Sequence, residues 1–156
     1  MKIPVKEAIE SGAWFNCRTK KYAISDEEIH FKLKVLSFEK INMEEVDEPH
    51  KIKLDEGVLW LMKIEVVNLE KEEVSPFDIT YRILLIDQDG FKFREAFDRH
   101  LQQESRYGEI NGLSRFAGGP DLKPKIKAKG AIAFLLPDDD DAEYFLSIEY
   151  GDIVEA

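Results

Sequence analysis

The residue types best suited to contact a partner lie between positions 94 and 116, in a stretch without a regular hydrophobic period. The candidate binding residues there are Arg94, Arg99, His100, Arg106, Tyr107, Arg115 and Phe116. Arginine and aromatic side chains are enriched among residues that dominate protein–protein binding, and long connections inside compact domains often carry function. The stretch therefore predicts a protein-binding loop. Its own acidic residues could instead pair with the arginines, which leaves a plain connection as the alternative.

The densest group of carboxylates follows Pro137 and forms a second candidate site, made of Asp138, Asp139, Asp140 and Asp141. Adjacent carboxylates repel one another, and a hard cation such as Ca²⁺ would relieve that repulsion. The turn therefore predicts, as the alternative function, a calcium- or small-ligand-binding β-sandwich. A solvated turn is the simpler interpretation, because a working calcium site needs ligands that converge from several loops. This acidic end of the chain could also meet a basic partner.

Asp87, Asp89 and Gly90 have the spacing that opens a calcium-binding loop of the EF-hand type. That pattern requires glycine at its sixth position and glutamate at its twelfth, which here are Lys92 and Asp98. The segment is therefore predicted to be a hairpin turn, in which glycine tolerates a positive φ and Asp87 caps the backbone.

Signals of catalysis and of bound metal are weak throughout the sequence. His30, His50 and His100 lie far apart and lack the spacing of zinc ligands. Cys17 is the single cysteine, has no histidine near it in the sequence and is expected to be at least partly buried. The sequence has neither a nucleophile elbow nor a phosphate-binding glycine loop. We therefore expect a non-enzymatic protein without a cofactor.

The overall composition predicts one globular domain with an acidic surface. The chain has 156 residues, 44% of them hydrophobic, and a net charge of −10, which argues against nucleic acid as a partner. No apolar run is long enough to span a membrane, and the N-terminus lacks the apolar core of a secretion signal. As given, the sequence predicts a soluble cytoplasmic protein, or an extracytoplasmic one if a signal was removed.

The pattern of apolar residues predicts antiparallel strands around a strand at 58–68, VLWLMKIEVVN, whose core face carries Trp60, Met62, Ile64 and Val66. Other strands are predicted at 29–38, 51–54, 125–136, 144–150 and 152–154, with a hairpin over 77–94. In the first of these, Leu36 and Phe38 change the phase, which indicates either a bulge or burial on both sides near the end of the strand. Short helices are predicted at 4–11 and 98–107. About seven strands and few helices predict an all-β antiparallel sandwich over residues 27–156. Residues 1–26 are predicted to form an extension that packs on this body.

Four lysines alternate near the start of the strand predicted at 125–136, at Lys123, Lys125, Lys127 and Lys129. Lysines along an edge strand prevent one sheet from pairing with another, so they predict an edge position. An anion-binding stripe is the functional alternative. Self-association is the second kind of partner that we expect, and the sequence leaves open whether sheet edges pair between two copies.

Three segments give the chain a family resemblance: VLWLMKIEVVN, the hairpin ITYRILLIDQDGFKF, and LKPKIKAKGAIAFLLP. In the last segment, Leu122, Pro124, Gly130, Phe134 and Pro137 match a proline turn, a glycine within a strand and a closing F-x-x-P. On these residues the chain resembles the telokin-like, immunoglobulin-like domains of uncharacterised bacterial and archaeal proteins, often lipoproteins. The resemblance covers roughly residues 29–154, judged by strand spacing and turn residues. It implies an immunoglobulin-like sandwich with a binding role and no catalytic residues, although the chain lacks a lipobox.

Overall fold

The computed structural model describes residues 2–22, 24–41, 57–96 and 120–154. These residues form nine strands and two short helices. In chain order they are β1 (Ile3–Pro4), α1 (Val5–Ser11), β2 (Phe15–Lys20), β3 (Glu28–Lys40), β4 (Val58–Asn68), α2 (Pro76–Thr80), β5 (Ile83–Asp87), β6 (Lys92–Phe93), β7 (Lys127–Leu136), β8 (Tyr144–Ile148) and β9 (Gly151–Val154).

The strands form two sheets, one in the order β7-β4-β3-β2-β9 and the other in the order β1-β8-β5-β6. All pairs between these strands are antiparallel. The prediction of an all-β antiparallel sandwich with one or two short helices is therefore confirmed. The strand number exceeds the predicted seven partly because β1 and β6 have two residues each, which is too short for a period to show.

The core lies between the two sheets, and β4 is an interior strand of the larger one. Met62, Ile64 and Val66 are fully buried on its inner face, as their alternation predicts. Leu59 and Leu61 are buried as well, although they lie on the opposite face. Trp60 is only half-buried, because it lines an open pocket.

A bulge in β3 confirms the change of phase that the sequence shows after Val35. Val35 pairs with Ile64 and Ser37 with Lys63, so that Leu36 is the extra residue. Without the bulge, strict alternation would turn Phe38 outward. With it, Phe38 pairs with Met62 and shares the inner face.

Residues 2–22 contribute to both sheets. Ile3 and Pro4 pair with β8, and β2 lies between β3 and β9. The helix predicted at 4–11 is present as α1, with Val5 and Ala8 buried and Gly12 ending it at a φ of 60°. The sequence predicted an extension packing on the body, and in the structure this segment pairs with the body's strands.

The hairpin predicted over 77–94 is shorter than expected, because residues 76–80 form helix α2. Phe77 and Tyr81 stack with ring centroids 5.5 Å apart. Residues four apart share a face of a helix and of a strand alike, so five residues of alternation did not distinguish the two. Pro76 at the first helical position was the stronger signal. The turn itself is confirmed, since Asp87 accepts hydrogen bonds from the amides of Asp89 and Phe91.

Strand β8 also ends earlier than the predicted 144–150. Tyr150 has a φ of 53° and is half exposed, so it belongs to the bend between β8 and β9 and not to a strand face. The terminal strand predicted at 152–154 is confirmed as β9. The strand predicted at 51–54 and the helix predicted at 98–107 lie outside the described residues. None of the helices in the described ranges is long and apolar enough to cross a bilayer.

Candidate functional site

Arg94, which follows β6, is the one sequence-predicted binding residue in the described part of the chain. Its guanidinium group donates hydrogen bonds to both carboxylate oxygens of Glu149, which follows β8. Its Cζ atom lies 5.4 Å from the ring centroid of Tyr81. The remaining predicted binding residues lie outside the described ranges: Arg99, His100, Arg106, Tyr107, Arg115 and Phe116.

A second arginine, Arg82, reaches the same carboxylate from just before β5. Its Nη1 atom lies 3.2 Å from Oε1 of Glu149. Its Cζ atom lies 5.5 Å from the ring centroid of Tyr81 and 4.9 Å from that of Tyr150. We refer to Tyr81, Arg82, Arg94, Glu149 and Tyr150 as the arginine–tyrosine cluster. In this cluster one carboxylate holds two arginines, and both arginines lie over the ring of Tyr81.

Strand register brings Arg82 and Glu149 together. Ile83 pairs with Ile148 in the core, and the amide of Glu149 donates a hydrogen bond of 2.8 Å to the carbonyl oxygen of Arg82. The two side chains are therefore one position out of phase with the buried isoleucines and project from the sheet together. Tyr150 follows at the bend, where its ring lies beside Arg82.

Partial burial strengthens the ion pairs of the arginine–tyrosine cluster. The side chains of Arg82 and Glu149 are 11% and 14% exposed, whereas that of Arg94 is 39% exposed. The hydrogen bond from Arg94 lowers the pKa of Glu149, although partial burial opposes this, and the same bond raises the pKa of Arg94. Glu149 and Arg94 therefore remain charged at neutral pH.

The cluster also has an exposed aromatic border. Tyr150 is 50% exposed, Phe77 is 44% exposed, and Phe77 stacks on Tyr81. Arginine and tyrosine are enriched among the residues that dominate binding at the centres of protein–protein interfaces. The cluster presents both residue types at the surface.

The four aspartates of the predicted calcium or small-ligand site lie in the exposed turn between β7 and β8. Asp139 accepts a hydrogen bond from the amide of Asp141. Lys40 lies 3.6 Å from Asp138 and 4.0 Å from Asp140, so a cation of the chain already approaches the turn. Across residues 2–22, 24–41, 57–96 and 120–154, no three histidine, cysteine or acidic side chains are grouped to hold a metal ion.

An open pocket of about 760 Å³ lies between helix α1 and the turn before β8. We call it the aromatic pocket, because Phe38, Trp60 and Tyr144 line it. The rings of Phe38 and Trp60 stack with centroids 4.8 Å apart, and Tyr144 meets Phe38 edge to face at 6.2 Å. Fully buried Phe134 supports Phe38 from the core, 6.5 Å away. The aromatic floor is therefore continuous with the core.

Two other residues that the sequence singled out for chemistry, Cys17 and His30, lie in the described part of the chain. Cys17 is buried, as predicted, and burial raises the pKa of its thiol to about 12. His30 is exposed, with Nδ1 3.0 Å from Glu70 and Nε2 3.5 Å from Glu28. His50 and His100 lie outside the described residues.

Sequence reasoning found Arg94 but missed its partners Arg82 and Glu149, as well as the aromatic pocket. A usable signal was present, because an arginine precedes the apolar run of β5 and a glutamate follows that of β8. That these two positions oppose each other depends on the register of strands 67 positions apart in the chain. The pocket depends in the same way on contacts between distant segments.

No protein-family model matches the chain, and no curated protein matches it either. Solved structures do resemble it. The yjhA protein from Bacillus subtilis is 17% identical, with a TM-score of 0.50 over 77% of this chain and 74% of that one. A conserved hypothetical protein from Bacillus anthracis is 16% identical, with a TM-score of 0.50 over 80% of this chain and 87% of that one. These likenesses concern the fold alone.

Proposed function

We propose that this chain is a non-enzymatic binding module that recognises a protein partner through the arginine–tyrosine cluster. One observation carries the proposal: Glu149 holds Arg82 and Arg94 in place against tyrosine rings at the surface. The cluster extends the predicted binding residue Arg94 to a described surface. Arg94 is also the first residue of the predicted loop over 94–116.

The fixed geometry favours binding because it lowers the entropic cost of ordering side chains. A free arginine loses roughly 1 kcal/mol or more of rotamer freedom when an interface immobilises it. Here Glu149 and the tyrosine rings already restrict both arginines before any partner arrives. Tyr150 and Phe77 add exposed apolar area next to these donors. Such pre-ordered contacts raise affinity without a larger interface.

Charge indicates the kind of partner. Two arginines share one carboxylate, so the cluster keeps an excess of positive charge on a chain whose net charge is −10. Arg94 is the more exposed of the two arginines and is the group that a partner can reach. The surface therefore fits a protein segment that presents a carboxylate beside apolar side chains.

A capture experiment with matched variants tests the proposal. The full chain is immobilised as wild type, as Phe77→Ser with Tyr150→Ser, and as a control with Ile24→Ser and Ile126→Ser. Ile24 and Ile126 are 99% and 58% exposed, so the control removes apolar surface elsewhere. We expect a partner that wild type and control retain and that the cluster variant loses. A variant lacking residues 98–118 tests the predicted loop separately.

The decisive step uses the purified partner. Arg94→Glu reverses the accessible charge, and we expect the Kd to rise by about tenfold to a hundredfold. An unchanged Kd would contradict the proposal, as would retention of every captured protein by the cluster variant. Calcium binding at the acidic turn is the alternative function. It requires that Ca²⁺ raise the melting temperature of the wild type but not of a variant with Asp138, Asp139, Asp140 and Asp141 changed to Asn.

A further inference from the structure

The aromatic pocket shares no lining residue with the arginine–tyrosine cluster. The cluster carries an excess of positive charge, whereas the pocket has an acidic rim. Helix α1 forms one wall and the turn before β8 forms the other. Pairing of Ile3 and Pro4 with β8 fixes the start of the helix beside that turn. The pocket is therefore held by strand pairing on both sides and does not depend on a single loop.

The floor of the pocket offers aromatic faces. Phe38 and Trp60 stack with an angle of 22° between their planes, and both are half-buried, so each ring keeps part of its surface open. Tyr144 meets Phe38 edge to face, and Phe93 meets Tyr144 in the same way at 6.0 Å. This network fixes the rings in place. The π-face of a fixed tryptophan or phenylalanine attracts a cation that has lost part of its water shell.

The rim of the pocket is strongly acidic. Five carboxylates and only one ammonium group are found among the described residues that line it: Glu7, Glu10, Asp139, Asp140 and Glu143, with Lys6. The Nζ atom of Lys40 lies 4.0 Å from Oδ1 of Asp140 and partly offsets the negative charge of that carboxylate. The pKa of Tyr144 is raised, mainly by burial and then by Asp87 and Asp139. Of the two carboxylates, Asp139 belongs to the rim of the pocket.

We propose that the aromatic pocket binds a small organic cation, an ammonium group attached to an apolar body. The ammonium group lies against the face of Trp60 and toward the carboxylates of the rim, and the apolar body contacts Phe38 and Ile9. The described residues include no group of three metal ligands at the rim, whereas the aromatic floor suits an organic cation. A volume of about 760 Å³ lies within the range of pockets for small molecules, roughly 300 to 1,000 Å³.

Three probes that share one apolar body test the proposal: phenethylamine, phenethyl alcohol and hydrocinnamate, which are cationic, neutral and anionic at neutral pH. Each is titrated into the full-length ¹⁵N-labelled chain, and the indole N–H signal of Trp60 is followed by NMR. We expect phenethylamine to bind saturably and about tenfold more tightly than the alcohol, with no saturable binding of hydrocinnamate. We also expect its affinity to fall as the salt concentration rises.

Matched charge variants distinguish the pocket from the acidity of the whole chain. The test variant carries Glu7→Gln, Glu10→Gln and Glu143→Gln, and the control carries Glu27→Gln, Glu72→Gln and Glu73→Gln. All six side chains are exposed, and the control residues line a different surface depression, so both variants should fold. We expect the test variant to bind phenethylamine about tenfold more weakly and the control to lose less than about twofold.

Several results would overturn the proposal. Equal affinity for all three probes would show that charge plays no part. Unchanged binding by the test variant would show that the rim carboxylates do not attract the ligand. Saturation by a lysine-containing peptide together with no response to phenethylamine would assign the pocket to a peptide and not to a small molecule.

Discussion

The side-chain amide of Asn68 donates a hydrogen bond of 2.9 Å to the carbonyl oxygen of Leu122, although 54 positions separate the two residues in the chain. Its Nδ2 atom donates a second bond to the carbonyl of Glu72, and its Oδ1 atom accepts one from the amide of Glu70. Asn68 is fully buried at the end of β4. One amide therefore holds the turn after β4 and the segment that leads into β7.

Replacing Asn68 by alanine should lower the free energy of unfolding by about 2 to 3 kcal/mol, because it removes the three hydrogen bonds that this buried side chain makes. Urea denaturation measures the change. Leu69→Ala is the control, since Leu69 is 40% exposed and its loss should cost well under about 1 kcal/mol. Asn68→Asp should be at least as harmful as alanine at neutral pH, because it presents a carboxylate to carbonyl oxygens. Equal stability of the Asn68→Ala and Leu69→Ala variants would contradict this role.

Glu149 should make the stability of the protein depend on pH. Hydrogen bonds from Arg94, and then the charges of Arg94 and Arg82, hold the pKa of Glu149 below its ordinary value. A lowered folded-state pKa stabilises the fold above the ordinary glutamate range, and this stabilisation is lost as the pH falls through the lowered value. Glu149→Gln should therefore destabilise the protein by about 1 to 2 kcal/mol at pH 7 and by less as the pH falls through the lowered pKa of Glu149.

Urea denaturation across that pH range measures the difference between Glu149→Gln and the wild type. Glu73→Gln is the control, because Glu73 is exposed and its replacement should leave the curves parallel. A difference for Glu149→Gln that stays constant with pH would mean that the ion pairs do not stabilise the fold.

Cys17 should react with thiol reagents only when the protein opens. It is 3% exposed, and burial, followed by the charge of Asp152, raises the pKa of its thiol to about 12. At pH values between the ordinary pKa of a thiol and about 12, Cys17 loses its proton in the unfolded chain and keeps it in the folded chain. Stability should therefore decrease as the pH rises through that range. Labelling with a chromogenic disulfide reagent measures both effects, and fast labelling of the native protein at neutral pH would refute the prediction.

The sequence predicted those parts of the fold in which one face of a long strand is buried. The alternation in β4 and the change of phase at Leu36 are both present in the structure. Prediction from the sequence failed where the apolar pattern was short, or where a helix and a strand place residues of the same spacing on one face. Phe77 and Tyr81 lie four apart, which suits a helix as well as a strand, and Tyr150 continues the alternation of β8 through a bend.

The candidate sites were harder to predict than the strands, because each depends on the register of distant segments. Composition identified Arg94, but its partner Glu149 lies 55 positions away and becomes a partner only once β5 and β8 pair. Phe38 reaches the aromatic pocket only because a bulge turns it inward, and Trp60 reaches it from another strand. Periodicity shows which face a residue occupies. It does not show which residues of other strands share that face.

The lysines of β7 should keep the protein from pairing with other copies at this edge. β7 is an edge strand of the larger sheet, as its lysines predict, and Lys127 lies 3.0 Å from Glu65 of β4. Changing Lys127 and Lys129 to threonine removes the exposed charges and favours strand pairing, so we expect dimers or larger species. Light scattering after size exclusion measures the mass of the variant.

The matched control changes Lys32 and Lys34 to threonine in β3, which lies between β2 and β4. It alters the net charge equally but exposes no edge, because the backbone of β3 pairs on both sides. Its mass should equal that of the wild type. If the β7 variant also keeps the wild-type mass at high protein concentration, the lysines do not guard the edge. The anion-binding stripe would then be the remaining interpretation, and a sulfate titration of wild type against the β7 variant would test it.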